Sequence, residues 1–153
     1  MKIIFLDIDG VLNNDRCWGN RPAIKAFDKE CIIAFNEIID ATKARIVISS
    51  SWRNLFTYDS LCDILRKVGV KGAILDVTPT VSIHRHRGAE IKAWLDTKLW
   101  PEINSFIILD DEADMEDLKD HLLQTDSYTG LTSNMAVIAI ERLKGNGSSK
   151  SNR

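Results

Sequence analysis

The hydrophobic residues of this chain fall into short continuous runs, separated by stretches in which they recur at helical spacing. Five runs are rich in branched residues: 2–6, 44–49, 72–77, 105–110 and the weaker 121–125. Because their hydrophobic residues are continuous and do not alternate with polar ones, these runs predict strands that are buried on both faces of a parallel sheet.

Between the runs, apolar residues recur every three or four positions, as on one face of an amphipathic helix. The four stripes consist of Ile24, Phe27, Cys31, Phe35, Ile38 and Ile39; Leu61, Ile64, Leu65 and Val68; Ile91, Trp94 and Leu95; and Met135, Ile138, Ala139 and Arg142. Strands alternating with helices predict an α/β fold, here a doubly wound, Rossmann-like, mostly parallel five-stranded sheet with helices on both faces. We assign residues 1–144 to this domain and expect the polar segment 145–153 to be disordered.

Composition and charge narrow the class of protein. A chain of 153 residues is most simply one domain, which buries roughly 70% of its unfolded surface. The net charge of −2 gives no overall attraction to nucleic acid or membrane. The three cysteines lack a CxxC spacing, and no apolar run approaches the roughly 20 residues that span a bilayer. We therefore expect a cytoplasmic protein with no membrane partner; the sequence leaves the oligomeric state open, and a monomer is compatible with it.

Carboxylates are concentrated where two predicted strands end. Asp7 and Asp9 follow the first strand, and Asp110 and Asp111 end the fourth. One aspartate after a strand is commonly a turn former, but two acidic strand ends that meet at one sheet edge set like charges together. At ~4 Å and an effective dielectric constant of ~20, each such pair repels by about 4 kcal/mol. The group therefore indicates a cation site, and a set of oxygen ligands favours Mg²⁺.

Four segments resemble the motifs of the haloacid dehalogenase-like (HAD) hydrolase superfamily. They are FLDIDGVLN, RIVISS, the Arg-Gly pair that opens RGAEIKAWL, and FIILDDEAD, in the order that the family has them. The segments SSSWR, RGAEI and TDSYTGLT are similar to HAD domains associated with RNA-repair proteins. The resemblance implies a Mg²⁺-dependent phosphatase that forms an aspartyl-phosphate intermediate.

The same resemblance implies a role for each catalytic candidate. Asp7 would be the nucleophile, and Asp9 would protonate the leaving oxygen and then deprotonate the attacking water. Ser49 would hydrogen-bond a phosphoryl oxygen, although Ser50 is an alternative one residue away. Arg87 would neutralise charge on the nucleophile and the phosphate, in a position where the family more often has lysine.

The metal ligands that the resemblance implies are the Asp7 carboxylate, the Asp9 backbone carbonyl, Asp110 and Asp111. Of the last two, we favour Asp111 as the direct ligand. Asp114 has three interpretations: an anchor for Arg87, an outer-shell residue of the metal, or the cap of a following short helix.

Two features of the chain bear on the substrate. The segments 14–45 and 54–86 leave no room for the cap domain that many relatives carry, so we expect an open site with 13–22 as a partial lid. Such a site would admit a large phosphorylated substrate, such as a nucleic-acid end or a phosphoprotein. The substrate-binding candidates are Gly10, Ser50, Trp52, Arg53 and Arg85.

Trp18 and Trp52 are in predicted loops near the site, where they would either stack on a nucleobase or pack against the loop, which is the commoner use. Trp94, at helical spacing, is a core residue. A phosphate-gripping patch at 84–87 competes with a solvated basic loop.

Three other functions remain to be compared with a nucleic-acid phosphatase. A small nucleotide or metabolite phosphatase would use the same residues, and so would a phosphotransferase. A non-catalytic Mg²⁺-binding interaction domain is the alternative outside the enzymes, but it would have no need for a second acid at Asp9. Residues 111–114 spell DEAD, but no phosphate-binding loop of the GxxxxGK[ST] type accompanies them, which excludes a helicase.

Overall fold

A computed structural model describes residues 1–17, 26–81, 86–97 and 99–145. In these residues five strands and four helices follow one another: β1 (Lys2–Leu6), α1 (Lys29–Thr42), β2 (Arg45–Ile48), α2 (Tyr58–Lys67), β3 (Ile74–Val77), α3 (Arg87–Asp96), β4 (Ser105–Asp110), β5 (Leu122–Gln124) and α4 (Ser133–Lys144). Short 3₁₀ helices lie at Asp15–Cys17, Ser51–Asn54 and Glu116–His121.

The strands form one sheet in the order β3-β2-β1-β4-β5, and every neighbouring pair is parallel. Strand order therefore reverses at β1, which has β2 on one side and β4 on the other. This arrangement confirms the predicted doubly wound α/β fold. It also places the crevice in which such sheets bind ligands beyond the ends of β1 and β4.

Side chains of the central strand alternate between two cores. Ile4 and Leu6 pack on the face covered by α1, α2 and α4, whereas Ile3 and Phe5 pack on the face covered by α3. Trp94 of α3 is buried beside Phe5, with the two rings 5.4 Å apart and nearly perpendicular. Burial on both faces explains why the strands read as continuous apolar runs, and it puts helices on both faces as predicted.

The first helix begins later than its apolar stripe. Asp28 has an extended backbone and its carboxylate accepts hydrogen bonds from the amides of Glu30 and Cys31, so it caps a helix that starts at Lys29. An aspartate in this position satisfies amides that have no partner inside the helix. Phe27 therefore packs on the core from the loop before α1, and Ile24 lies outside the described residues.

No further domain is inserted between the elements in the described parts of the chain. None of the helices in those parts is long and apolar enough to cross a membrane. Beyond Gly145, the segment for which we expect disorder lies outside the described residues.

Candidate active site

The ends of β1 and β4 bring three carboxylates together. The Asp7 amide donates to the Leu109 carbonyl at 3.0 Å, so the pairing of the two strands continues one residue past β1. One oxygen from each of Asp7, Asp110 and Asp111 lies within 4.8 Å of the other two. The strands thus unite three of the four acids that the sequence pointed to.

Burial makes negative charge on the carboxylates of this cluster unfavourable. It raises the pKa of Asp7 to about 6, and the nearby positive charge of Arg87 only partly opposes this. Burial, with the charge of Asp7, raises the pKa of Asp110 to about 8. Asp110 Oδ2 is buried without a hydrogen-bond partner. Three clustered oxygen donors with too little positive charge around them fit a hard divalent cation.

Arg87 supplies positive charge from the first turn of α3. Its Nη1 lies 3.7 Å from Asp7 Oδ1 and its Nε lies 3.5 Å from Asp110 Oδ2. Nη1 is buried and has no hydrogen-bond partner, so a donor is left for a ligand at this point. Gly88 makes the approach of the helix possible, because a β-carbon there would lie 2.4 Å from the Met115 carbonyl oxygen.

The two candidate serines have different surroundings. The Ser49 amide donates to the Leu6 carbonyl at 2.9 Å, and its Oγ is fully buried without a partner. The Ser50 Oγ accepts from the Trp52 amide at 3.2 Å and caps the 3₁₀ helix Ser51–Asn54. A hydrogen bond from the Ser50 side chain also acts to lower the pKa of Asp7, against the larger effect of burial. Ser50 is thus engaged within the protein, whereas the Ser49 hydroxyl is free for a ligand.

The Asp9 carboxylate does not join the acidic cluster. Its Oδ1 accepts from Asn13 Nδ2 at 2.9 Å, and its Oδ2 accepts from Trp52 Nε1 at 3.0 Å. The expected metal ligand of Asp9 is its backbone carbonyl, which stays a prediction. The Asp9 side chain is therefore separate from the acidic cluster of Asp7, Asp110 and Asp111.

Two substrate-binding candidates have internal roles instead. Trp52 is 9% exposed and packs against the rings of Phe27 and Phe56, so it has no open face for a nucleobase. The buried Arg53 forms an ion pair with Glu90 and donates from Nη1 to the Ser49 and Ser50 carbonyls. In these contacts Arg53 neutralises a buried carboxylate and braces the end of β2, and its contact with a substrate stays a prediction.

Gly10 also has a structural use. Its N–H donates to Asn13 Oδ1 at 2.8 Å, and its carbonyl accepts from Thr125 Oγ1 at 2.6 Å. Its φ of +76° favours glycine, and a β-carbon there would lie 2.5 Å from Asp111 Oδ2. Gly10 therefore admits the Asp111 side chain, while its own N–H is not available to the substrate.

Asp114 pairs with His86, a partner that none of its three interpretations named. Its Oδ2 lies 2.9 Å from His86 Nδ1, and the hydrogen bond to Asp114 raises the pKa of His86. The Asp114 backbone carbonyl accepts from the Gly88 amide at 3.2 Å. Asp114 thus supports the start of α3 without anchoring the Arg87 side chain. Trp18, Arg85 and residues 18–22 of the expected lid lie outside the described residues.

The roles of the two asparagines after the first motif were not predicted from the sequence. Asn13 connects Asp9 to the Gly10 amide, and Asn14 donates to Asp28 Oδ2 at 2.9 Å. Both are almost fully buried. The signal was present, because two consecutive amides follow the apolar pair Val11-Leu12, and buried amides need partners.

Comparison with known proteins shows the family to which this chain belongs. No curated protein and no solved structure gives a significant match to the chain. Residues 3–136 match the model of the family described as "HAD domain in Swiss Army Knife RNA repair proteins". This match extends from β1 into α4 and includes every acidic residue of the site, and the chain therefore belongs to this family.

Proposed function

We propose that this protein is a Mg²⁺-dependent phosphomonoester hydrolase that forms an aspartyl-phosphate on Asp7. The observation that carries the proposal is the buried cluster of Asp7, Asp110 and Asp111 beside Arg87. HAD domains are generally hydrolases or phosphatases, which agrees with this chemistry.

The donor set supports Mg²⁺ as the cofactor. Carboxylates of Asp7, Asp110 and Asp111 would hold the ion, and we add the Asp9 carbonyl as a further ligand. All of these are oxygen donors, which suits a hard cation better than a soft one. When bound, the ion would offset the negative charge of the cluster and of the phosphoryl oxygens.

In the first step, a carboxylate oxygen of Asp7 attacks the phosphorus of the monoester. A new bond forms between this oxygen and phosphorus while the ester P–O bond breaks. Asp9, which must enter this step protonated, gives its proton to the departing oxygen, so that an alcohol leaves instead of an alkoxide.

In the second step, water hydrolyses the aspartyl-phosphate. Asp9 is now ionised and takes a proton from the water as the water oxygen attacks phosphorus. The bond between phosphorus and the Asp7 oxygen breaks, which releases inorganic phosphate and restores both aspartates to their starting forms.

Two donors in the described site are placed to stabilise the transferring phosphoryl group. Arg87 Nη1 and Ser49 Oγ are both buried, and neither has a hydrogen-bond partner within the protein. Buried unpaired donors are costly, so their persistence in a folded site is understandable when a ligand completes them. They would supply positive charge and a hydrogen bond where negative charge develops.

For the substrate, we propose the phosphorylated 3′ end of a nucleic acid. The description of the family as part of RNA repair proteins supports this choice. The absence of an inserted domain in the described residues also supports it, because an uncovered site admits a polymer. A phosphatase for small nucleotides or metabolites would have the same catalytic residues and differs only in its preference for substrates.

Hydrolysis of p-nitrophenyl phosphate tests the chemistry. Turnover with Mg²⁺ should disappear with EDTA and in Asp7→Asn. The control is Asp40→Asn, which should behave as the unaltered protein, because Asp40 is an exposed residue of α1 whose side chain pairs with Lys71. Activity that survives in Asp7→Asn would contradict the aspartyl-phosphate. Turnover of 3′-phosphorylated oligonucleotides and of free nucleotides then decides the substrate. No turnover of any of these by a folded, Mg²⁺-binding protein would favour the non-catalytic alternative.

A further inference from the structure

The Asp9 carboxylate is held at both of its oxygens by side chains from two different parts of the chain. Asn13 Nδ2 reaches Oδ1 at 2.9 Å, and Trp52 Nε1 reaches Oδ2 at 3.0 Å. Rotation of the carboxylate about its Cβ–Cγ bond would break both hydrogen bonds. We infer that Trp52 and Asn13 are positioning residues for proton transfer by Asp9, an inference that rests on the proposed function.

The indole of Trp52 is itself fixed in place. The ring packs against Phe27 and Phe56, with centroid distances of 5.4 and 5.5 Å. Its backbone amide donates to the Oγ of Ser50, the N-cap of the 3₁₀ helix that follows β2. A buried ring packed against two other rings has few rotamers, so its N–H points in one direction. Trp52, which follows β2, thus fixes the position of the Asp9 carboxylate, which follows β1.

The amide of Asn13 is fixed in a similar way. Its Oδ1 accepts from the Gly10 amide at 2.8 Å, which leaves Nδ2 as the atom that faces Asp9. The two contacts require the same orientation of the amide, because the Gly10 N–H can only donate and so needs the oxygen, while the amide nitrogen cannot accept and so donates to Asp9. The side chain is 2% exposed, so water does not compete for it.

The chemistry of the two donors suits a proton-transfer group. Neither an indole N–H nor an amide N–H exchanges a proton with a carboxylic acid near neutral pH, so neither competes with the substrate for the proton. Each carboxylate oxygen has two lone-pair directions, and each donor occupies one of them. The arrangement fixes the Asp9 side chain and still leaves a position on each oxygen for the proton that is transferred.

The inference predicts a dependence on the leaving group. Protonation of the departing oxygen matters more for phenyl phosphate than for p-nitrophenyl phosphate, whose leaving group is stable as an anion. Loss of the Trp52 N–H should therefore lower kcat/KM for phenyl phosphate more than for p-nitrophenyl phosphate. A purely structural role would lower both values by the same factor.

The experiment compares Trp52→Phe with Trp94→Phe on both substrates in the presence of Mg²⁺. Each change removes an indole N–H that donates to an aspartate and keeps an aromatic ring, but the partner of Trp94 is Asp76 of β3. We expect the ratio of the two kcat/KM values to change about tenfold or more in Trp52→Phe and to stay unchanged in Trp94→Phe. Equal changes in this ratio for the two variants would overturn the inference.

Two further measurements separate this inference from the proposed function. Asn13→Asp keeps an acceptor for the Gly10 amide and removes the N–H that Asp9 accepts, so it should change the ratio in the same direction as Trp52→Phe. Independently of activity, the indole N–H resonance that disappears in Trp52→Phe should shift in Asp9→Ala. An unshifted resonance would refute the contact itself. A shifted resonance in a protein without Mg²⁺-dependent turnover would instead count against the proposed hydrolase, and the positioning role would fall with it.

Discussion

Asp111 occupies the space in which any residue other than glycine at position 10 would place its β-carbon. That carbon would lie 2.5 Å from the Asp111 carboxylate oxygen and 2.8 Å from its Cβ. The DxDG segment after β1 and the acid pair at the end of β4 are therefore packed against each other, because the missing β-carbon of Gly10 leaves the space that the Asp111 side chain fills.

Gly10→Ala should displace Asp111 and weaken the proposed Mg²⁺ site. The substitution also strains a backbone with φ of +76°, which we expect to cost about 1–2 kcal/mol of unfolding free energy. Calorimetric titration with Mg²⁺ should show weaker binding than in the unaltered protein. Gly145→Ala is the control, because it has a similar φ of +75° but open space around it. Equal Mg²⁺ affinity in Gly10→Ala and Gly145→Ala would contradict the fit.

Ser49→Ala and Ser50→Ala should have different effects on stability. Ser49 has a buried hydroxyl without a partner, so its removal should leave the unfolding free energy unchanged or raise it. Its loss should nevertheless lower kcat about a hundredfold if the hydroxyl binds the phosphoryl group. Ser50→Ala removes the cap of the 3₁₀ helix and should cost about 1 kcal/mol.

Urea unfolding of both serine variants, together with assays on p-nitrophenyl phosphate, checks this pair. A destabilised Ser49→Ala with normal kcat would mean that the hydroxyl has a structural partner and no catalytic use. In that case Ser50, the alternative from the sequence, would take the phosphoryl contact.

Without metal, the protein should lose stability as the pH rises from about 4 to about 8. Burial raises the pKa of Asp7 from 3.8 to about 6 and that of Asp110 to about 8. The folded protein therefore keeps protons that the unfolded chain has released, and the unfolding free energy falls over this window. Mg²⁺ prefers the ionised carboxylates, so it should raise the melting temperature more at pH 8 than at pH 5.5.

Thermal unfolding in EDTA and in Mg²⁺ at these two pH values measures the effect. Asp110→Asn removes one of the two titrating groups and should flatten the pH dependence in EDTA. Stability in EDTA that rises between pH 5.5 and pH 8 would be the opposite of what the two shifts require.

The buried ion pair of Arg53 and Glu90 should be sensitive to the loss of one partner. Both side chains are at least nine-tenths buried, so Arg53→Met, which leaves the Glu90 charge without its partner, should cost about 3–5 kcal/mol. The double variant Arg53→Met, Glu90→Leu should recover part of this loss. Urea unfolding of the single and double variants measures the coupling; a strictly additive result would show that the pair contributes no specific interaction.

Much of the fold was predictable because strands of a parallel sheet that are buried on both faces appear in the sequence as continuous apolar runs. The run 105–110 coincides with β4, and continuous apolar residues indicated burial on both faces. The start of α1 was harder to predict, because Phe27 continues the helical spacing although Asp28, the next residue, caps the helix. Periodicity records which residues are buried, and loop residues that pack on the core follow it as well.

Within the site, the acids could be located from the sequence and the contacts of the aromatic and basic residues could not. The ends of parallel strands share an edge, so Asp7, Asp110 and Asp111 had to be neighbours. The use of Trp52 and Arg53 depends on which way the short helix after β2 turns, and no spacing reports that direction. Trp52 donates to Asp9 and Arg53 pairs with Glu90, and the sequence indicated neither contact.

The pairing of β1 with β4 has a consequence for the order in which the molecule is made. Lys2 pairs with Ser105, so a growing polypeptide carries Asp7 for about a hundred residues of synthesis before Asp110 can reach it. At about 5–20 residues per second, the first aspartate spends several seconds outside the ribosome without the rest of its cluster. The acidic cluster therefore forms late, when the sheet closes around β1, and a partly synthesised chain has no assembled cluster that could bind a cation.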